Sequence, residues 1–340
     1  MCKDLCAQTR VRVDESRATV FTEPMDRKFT QAAWLFTAYL VGVILFGAWV
    51  RITHSGAGCG AHWPLCDGEI IPSAPSTEKL IEYTHRLTSG LCGVFGLILT
   101  GWAWRRFGLR AKATIAAAVT LFFIIVEGAI GAGLVLAELV ADDSSAARAI
   151  VISLHLTNTL MLTAASAATA YFGRSPDAPF RLTHERGLLL SMVAGFVVVS
   201  MTGAITALGD TLFPVKAAEH AGLWAQVSSE LSATQHFLVR LRIVHPVLAV
   251  LIGLGMIYAF DRLRDGGAGR IAAAGLLTSV AQIGLGFLNI ALAAPGWMQL
   301  LHLAMAQVLW VCLVLSAWRA QRPELAERSL RVEYDPIEAS

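Results

Sequence analysis

Four histidines lie inside strongly apolar stretches of this 340-residue chain: His85 in EYTHRLTSG, His155 in VISLHLTNTL, His245 in LRIVHPVLAV and His302 in MQLLHLAMA. Ionisable side chains are costly in apolar surroundings and mark functional sites when they occur in membrane helices. A single histidine there is as readily a hydrogen-bonded packing residue; four at matching places are poorly explained that way. Two imidazoles facing each other across an apolar slot suit a haem, which takes one axial ligand on each face. Zinc would need three or four ligands converging on one point. The spacing suits two bis-histidine haem sites, His85 with His155 and His245 with His302. Glu82 stands three residues before His85 and so shares its helix face, whereas Arg242 stands three before His245. A carboxylate one turn from an axial ligand could accept a proton, position water or stabilise a cation. It could equally be a first-turn acid favoured by the helix macrodipole. Arginine is no base near neutral pH, but it pairs well with a propionate. The asymmetry assigns chemistry to the first half and electron relay to the second.

The elements that must position these residues are membrane helices. Hydrophobic residues make up 55% of the chain and charged residues 15%, against about 25% charged in an average soluble domain. Apolar runs of spanning length, roughly 20 residues each, recur along the sequence. Spans are expected at about 31–52, 80–104, 113–137, 149–172, 187–208, 239–260, 271–293 and 298–318. Segments between them alternate in charge. Twenty of the 27 Lys and Arg residues fall in 1–30, 105–112, 174–186, 261–270 and the tail from Arg319. The positive-inside rule places those segments in the cytoplasm, with both termini inside and an even number of spans. The four histidines then sit near the starts of spans 2, 4, 6 and 8, a turn or two below the outer surface. The outer segments run long, short, long, short, which suggests that spans 1–4 are repeated as spans 5–8.

The fold expected is an all-α membrane protein, eight transmembrane helices forming two pseudo-symmetric four-helix bundles. Its divisions are a cytoplasmic extension (1–30), a first bundle (31–172), a linker (173–186), a second bundle (187–318) and a cytoplasmic tail (319–340). The first 28 residues carry no apolar run, so no signal peptide is expected before the first span. Cys2 and Cys6 lie there without a lipidation-like context. The net charge of +2 gives no reason to expect nucleic acid.

Other residues have a functional and a plain reading. Glu127 and Gln282 occupy matching places in spans 3 and 7, each four residues before a glycine, Gly131 or Gly286. A buried acid is either protonated or paired, so Glu127 fits a proton path or a hydrogen-bonded packing role. Arg86 and Arg51 could reach a propionate, or Arg51 could snorkel to the interface. His54, His62, His184, His220 and His236 fall in loops, most of them expected to be solvated. Trp34, Trp104, Trp297 and Trp318 suit interfacial anchors, and Cys92 and Cys312 suit packing.

The stretch GAWVRITHSGAGCGAHWPLCDGEIIP at 47–72, followed by LIEYTHRLTSG at 80–90, resembles the haem A synthase family, and GAITALGDTLFP at 203–214 resembles the second-half counterpart. The resemblance runs from about residue 30 to 318. It implies haem O as substrate in the first bundle and haem b in the second. It also implies Glu82 as the active-site residue, and Cys59 and Cys66 as the outer-loop cysteine pair. That loop lies on the side of the membrane where a disulfide is permitted. A structural staple and a redox relay both fit the pair. Some relatives carry a second pair in the other long loop, and this chain has no Cys between residues 209 and 238. Gln is the usual family residue at both span 3 and span 7 positions, so Glu127 is a departure. The activity implied is stepwise oxidation of the haem O C8 methyl, through an alcohol and a geminal diol, to the formyl group of haem A for terminal oxidases. Bis-histidine iron has no open position for oxygen. Either a histidine leaves, or electron removal at the ring edge is followed by attack of water with Glu82 as base.

The implied partners are the lipid bilayer of the cell membrane, haem O synthase as donor and an electron carrier, with self-association open. Two rivals keep the four histidines: a di-haem b-type cytochrome carrying electrons between quinol and a partner, and a haem transporter or chaperone. Neither requires an acid in one half and a base in the other.

Overall fold

The computed structural model describes residues 26–73, 75–175, 186–214, 228–264 and 268–319. Most of the N-terminal extension, with Cys2 and Cys6, lies outside the described residues. So do most of the 173–186 linker, His184, His220 and the tail beyond Arg319.

Among the described residues the chain is helical: α1 Arg27–Ile52, α2 Thr77–Phe107, α3 Lys112–Leu136, α4 Ala146–Arg174, α5 Arg186–Leu212, α6 Phe237–Leu241, α7 Val244–Arg264, α8 Gly269–Ala291 and α9 Gly296–Arg319. Eight segments, with α6 and α7 counted together, are long and apolar enough to cross a membrane, and the chain is a multi-pass membrane protein. The helices run a few residues past the expected spans because polar caps extend them. Asp26 accepts from the Phe29 amide at 3.0 Å, Ser76 from Lys79 at 3.3 Å and Ser145 from Arg148 at 3.1 Å.

Span 6 differs from expectation in being broken at Arg242–Ile243. Pro246 lies four residues after Arg242. It has no N–H to offer the Arg242 carbonyl, and its ring would collide with that carbonyl in a continuous helix. Arg242 is therefore in the turn between two helical segments and not inside the helix that carries His245.

The neighbour order repeats. Helix α1 packs on α2 and α4, α2 on α3, and α3 on α4; α5 packs on α7 and α9, α7 on α8, and α8 on α9. Helix α4 is the most buried span and contacts α5 and α9 as well. Its C-terminal end is rich in small residues, with Ala165, Ala167, Ala168, Ala170 and Gly173 buried. Small residues let helix backbones approach where no hydrophobic drive separates helix from lipid. Polar pairs add specificity: Thr37 Oγ1 lies 2.7 Å from Ser166 Oγ, and the buried Trp310 indole donates to Leu160 O at 2.7 Å. Trp318 leans on Tyr171 and Phe172, with centroids 5.8 and 5.7 Å away, so it is a packing residue where a belt anchor was expected. Trp104 and Trp297 are exposed and Trp34 marginally so.

Candidate functional site

The four histidines line one continuous cavity of about 2170 Å³. Ordinary ligand pockets hold roughly 300–1,000 Å³, so this one has room for more than one large ligand. Its walls are mostly aliphatic, and it reaches the bundle end that carries Trp63, Leu65, Val140 and Ala294. His85, His155 and His302 lie eight, nine and six residues from the starts of their helices, and His245 lies eight from the start of α6. At about 1.5 Å of rise per residue, all four sit some 9–14 Å below that end.

His245 and His302 face each other with ring centroids 6.3 Å apart and planes nearly perpendicular. An imidazole nitrogen binds a first-row metal at about 2 Å, with its ring centroid roughly 1 Å behind. Two imidazoles across one metal atom therefore place their centroids about 6 Å apart. His245 Nδ1 is 3.0 Å from Val199 O, and that contact fixes Nδ1 as the protonated nitrogen. Nε2 is left as a lone-pair donor, the usual second-shell arrangement for a metal-binding histidine.

Glycines clear the space behind the rings. A Cβ on Gly47 would stand 3.1 Å from His85 Cε1, and one on Gly203 would stand 2.9 Å from His245 Cε1. Gly286 lies against His302 at 3.5 Å, whereas nothing lies within 4 Å of a Cβ on Gly131. The first histidine of each half thus meets a glycine in the equivalent place. The second meets the span 3 or span 7 polar residue: Glu127 Oε1 lies 3.4 Å from His155 Nδ1, and Gln282 Nε2 lies 3.1 Å from His302 Nε2. Among the described residues no group of three or more His, Cys, Asp or Glu could hold a metal ion alone.

Glu82 is buried at 3% exposure and lines the cavity. Helix α2 begins at Thr77, so Glu82 is in the second turn and Glu78 is the first-turn acid. The macrodipole reading loses its force there, because the effect fades within the first turn. Glu82 Oε2 accepts the Cys59 amide at 2.8 Å, and Oε1 accepts from Arg86 Nε at 3.1 Å and from its Nη2. Arg86 then reaches up to the carbonyls of His62 at 2.6 Å and Leu65 at 2.7 Å. Cys59 and Cys66 are joined in a disulfide. The Glu82–Arg86 pair therefore bolts the disulfide loop, with Trp63, Pro64 and Leu65, over the first-half end of the cavity. Asp67, beside Cys66, is tied to Lys79 at 2.5 Å, and that contact holds its carboxyl below the usual range. The other loop histidines do little here: His54 pairs with Asp142 at 3.0 Å, and the exposed His62 side chain is not the group that Arg86 uses. His236 is not solvated as expected, because it stacks on Phe213 at 4.8 Å and caps α6.

The three arginines considered for propionates are engaged, Arg86 as just described. Arg242 meets Asp210 at 2.9 Å, Glu230 at 3.6 Å, the Gly209 carbonyl at 2.7 Å and the Phe213 carbonyl. Arg51 neither snorkels nor points outward. It bonds the Ala207 carbonyl at 2.5 Å, Thr211, and Gln299 Oε1 at 2.9 Å, so it clamps α1 to α5 and α9 across the two halves. Sequence reading missed Asp210, Glu230 and the buried Arg148, which donates to the carbonyls of Ala141 and Asp143 at 2.7 Å each. Asp210, an acid closing an apolar span, was the available signal.

Residues 30–314 match the COX15-CtaA family model, described as cytochrome oxidase assembly protein. A protein of Thermus thermophilus named Protoheme IX farnesyltransferase is 44% identical over 307 residues, covering 87% of this chain and 50% of that protein. A protein of Halalkalibacterium halodurans named Heme A synthase is 37% identical over 170 residues, 48% of this chain and 54% of that protein. Another Heme A synthase, from Alkalihalophilus pseudofirmus, is 47% identical over 93 residues, 27% of this chain and 31% of that protein. The chain thus spans about half the length, or less, of these relatives. Eight apolar spans, histidines from alternate spans on one cavity and a match over nearly the whole described length lead to one conclusion: the chain belongs to the COX15-CtaA family of cytochrome oxidase assembly proteins.

Proposed function

We propose that the chain is a haem A synthase, an oxidoreductase of the inner membrane with both termini in the cytoplasm. Its substrate is haem O, held in the first bundle by His85 and His155. A resident haem b is held in the second by His245 and His302, and the recurring helix order and glycine contacts reflect duplication of one bundle. The reading is supported by the names of the relatives and, above all, by one observation: four histidines on alternate spans open on a single apolar cavity, and the buried carboxylate of Glu82, three residues before His85 on α2, lines it.

The residues fit the implied group. The His245–His302 separation suits a shared iron, and Gly203 leaves no side chain to crowd the ring. When bound there, haem b supplies one-electron chemistry. Conversion of a methyl to a formyl group with water as oxygen source releases four electrons and four protons, so an electron carrier must accept the electrons. Glu82, held by the Cys59 amide and Arg86, faces the cavity as the group that takes a proton from water. The disulfide loop above it limits entry of bulk water. A prenylated haem supplied by haem O synthase is the corresponding donor product. A simple di-haem b-type cytochrome would need Glu82 only to hold the disulfide loop.

The test is co-expression with a haem O source in a host lacking haem A, followed by chromatography of extracted pigment. Wild type should yield hydroxylated and formyl haems, whereas Glu82→Ala and His85→Ala should leave haem O unconverted. Haem A at the wild-type rate from Glu82→Ala would refute Glu82 as base, and haem b alone from wild type would favour the cytochrome.

A further inference from the structure

The four imidazoles are not held alike. In the second half the first histidine is fixed: His245 Nδ1 meets Val199 O at 3.0 Å and Thr202 Oγ1 at 3.3 Å. Counted from the matching glycines, α1 has Val43 and Phe46 where α5 has Val199 and Thr202. Phe46 meets the His85 ring edge-on at 5.5 Å and offers no acceptor. His85 Nδ1 is buried without a hydrogen-bond partner in the structure.

The second histidines are reversed. Glu127 Oε1 lies 3.4 Å from His155 Nδ1, within ion-pair reach though off the hydrogen-bond line. The carboxyl is itself fixed by two donors, Asn158 Nδ2 and Thr159 Oγ1. Asn158 and Thr159 follow His155 by three and four residues; the same offsets from His302 give Met305 and Ala306. An acid and its two donors thus occur together in the first half and are all absent from the second. Gln282 differs in kind as well. Its Nε2 also donates to His302 O at 3.2 Å, so the atom near His302 Nε2 is a donor facing the nitrogen that would bind iron.

We infer that Glu127, set by Asn158 and Thr159, is a positioning residue that makes His155 the anchored axial ligand of the first-half haem site and leaves His85 the exchangeable one. The inference rests on the haem reading above. A carboxylate within ion-pair reach of Nδ1 favours the tautomer protonated there, presents Nε2 to the cavity and strengthens the ligand. His85 has Phe46 where His155 has that carboxylate, so the coordination position that opens first is on α2, the helix that also carries Glu82 one turn away.

The experiment uses the full chain purified from a haem O-producing host, titrated with free imidazole and with reducing potential, and followed by optical and electron paramagnetic resonance spectra. His85→Ala should keep the first-half haem and bind added imidazole at the vacated position, whereas His155→Ala should lose that haem. Glu127→Ala should weaken first-half haem binding roughly tenfold to hundredfold. Glu127→Gln keeps an acceptor oxygen and should keep the haem in place. It should raise that haem's midpoint by about a tenfold change in the redox equilibrium, about 59 mV for one electron, with the second-half haem unmoved. Equal haem loss from His85→Ala and His155→Ala, or bound haem with unchanged potential in both Glu127 variants, would overturn the inference alone. A wild-type chain with no haem in the first half would overturn the haem reading too.

Discussion

Gly203→Ala tests whether the space behind His245 is built to a porphyrin ligand's tolerance. A Cβ there would stand 2.9 Å from His245 Cε1 and 3.2 Å from Nδ1. Carbon–carbon contacts settle at about 3.5–4.0 Å, so the ring must retreat by about 0.6–1 Å or α5 must move off α7. A retreat of that size disturbs the 3.0 Å contact from Nδ1 to Val199 O and the 6.3 Å spacing to His302 together. Overpacking of this kind costs about 1–3 kcal/mol, roughly five- to 150-fold in retention of a group bound between the rings. The assay is haem content per chain and the low-spin optical spectrum after purification, with circular dichroism to show that the helices persist. Gly42→Ala is the control, because nothing lies within 4 Å of its added Cβ. Gly47→Ala, at 3.1 Å from His85, should act in the same direction at the other site but less strongly. A Gly203→Ala protein with the haem content and spectrum of the Gly42→Ala control would refute the reasoning.

Removing the Arg242 guanidinium, as in Arg242→Leu, leaves Asp210 and Glu230 facing each other without it. Breaking a buried pair in this way costs about 3–5 kcal/mol; thermal unfolding in detergent should show a clearly lowered midpoint, and an unchanged midpoint would contradict the geometry. Cys59→Ser with Cys66→Ser opens a closure of sequence separation 7, which the chain-entropy account values at about 2–3 kcal/mol. Limited proteolysis should cut the loop faster, and first-half haem turnover should fall without vanishing; complete loss with the loop still protected would favour a redox relay instead. Asp67 has its carboxyl pKa depressed by Lys79, so its contribution to holding the loop is present above the unfolded value of about 3.9 and is lost as pH falls below it. Hydrogen exchange across residues 59–73 should therefore rise below about pH 4 after correction for intrinsic rates, and in Lys79→Met exchange should already be faster at neutral pH, with that acid-side rise lost.

The helical class, the number of spans and the gathering of four histidines on one cavity were legible because apolar length and intramembrane imidazoles are strong local signals. The disulfide between Cys59 and Cys66 came from the family resemblance, since sequence spacing alone left it open. Contacts that cross the two halves were not legible. Arg51 looked like a helix-end snorkel, and only the packing of α1 on α5 and α9 turns it inward to Ala207 and Gln299. Arg242 looked like the counterpart of Glu82, but Pro246 breaks the helix between it and His245 and delivers it to Asp210. The Pro was visible; its effect on an apparent repeat was not drawn from it. Glu82 looked like a first-turn acid because the cap at Ser76 was not foreseen.

The central claim is that two histidine pairs clamp two porphyrins in one membrane-embedded cavity. Haem stoichiometry of the purified, haem O-supplied chain measures this most directly, with optical and paramagnetic spectra for wild type, His155→Ala and His302→Ala. The account predicts two spectrally distinct low-spin haems in wild type, with loss of one in His155→Ala and of the other in His302→Ala. A single haem removed by both substitutions, or two haems that survive both, would contradict it.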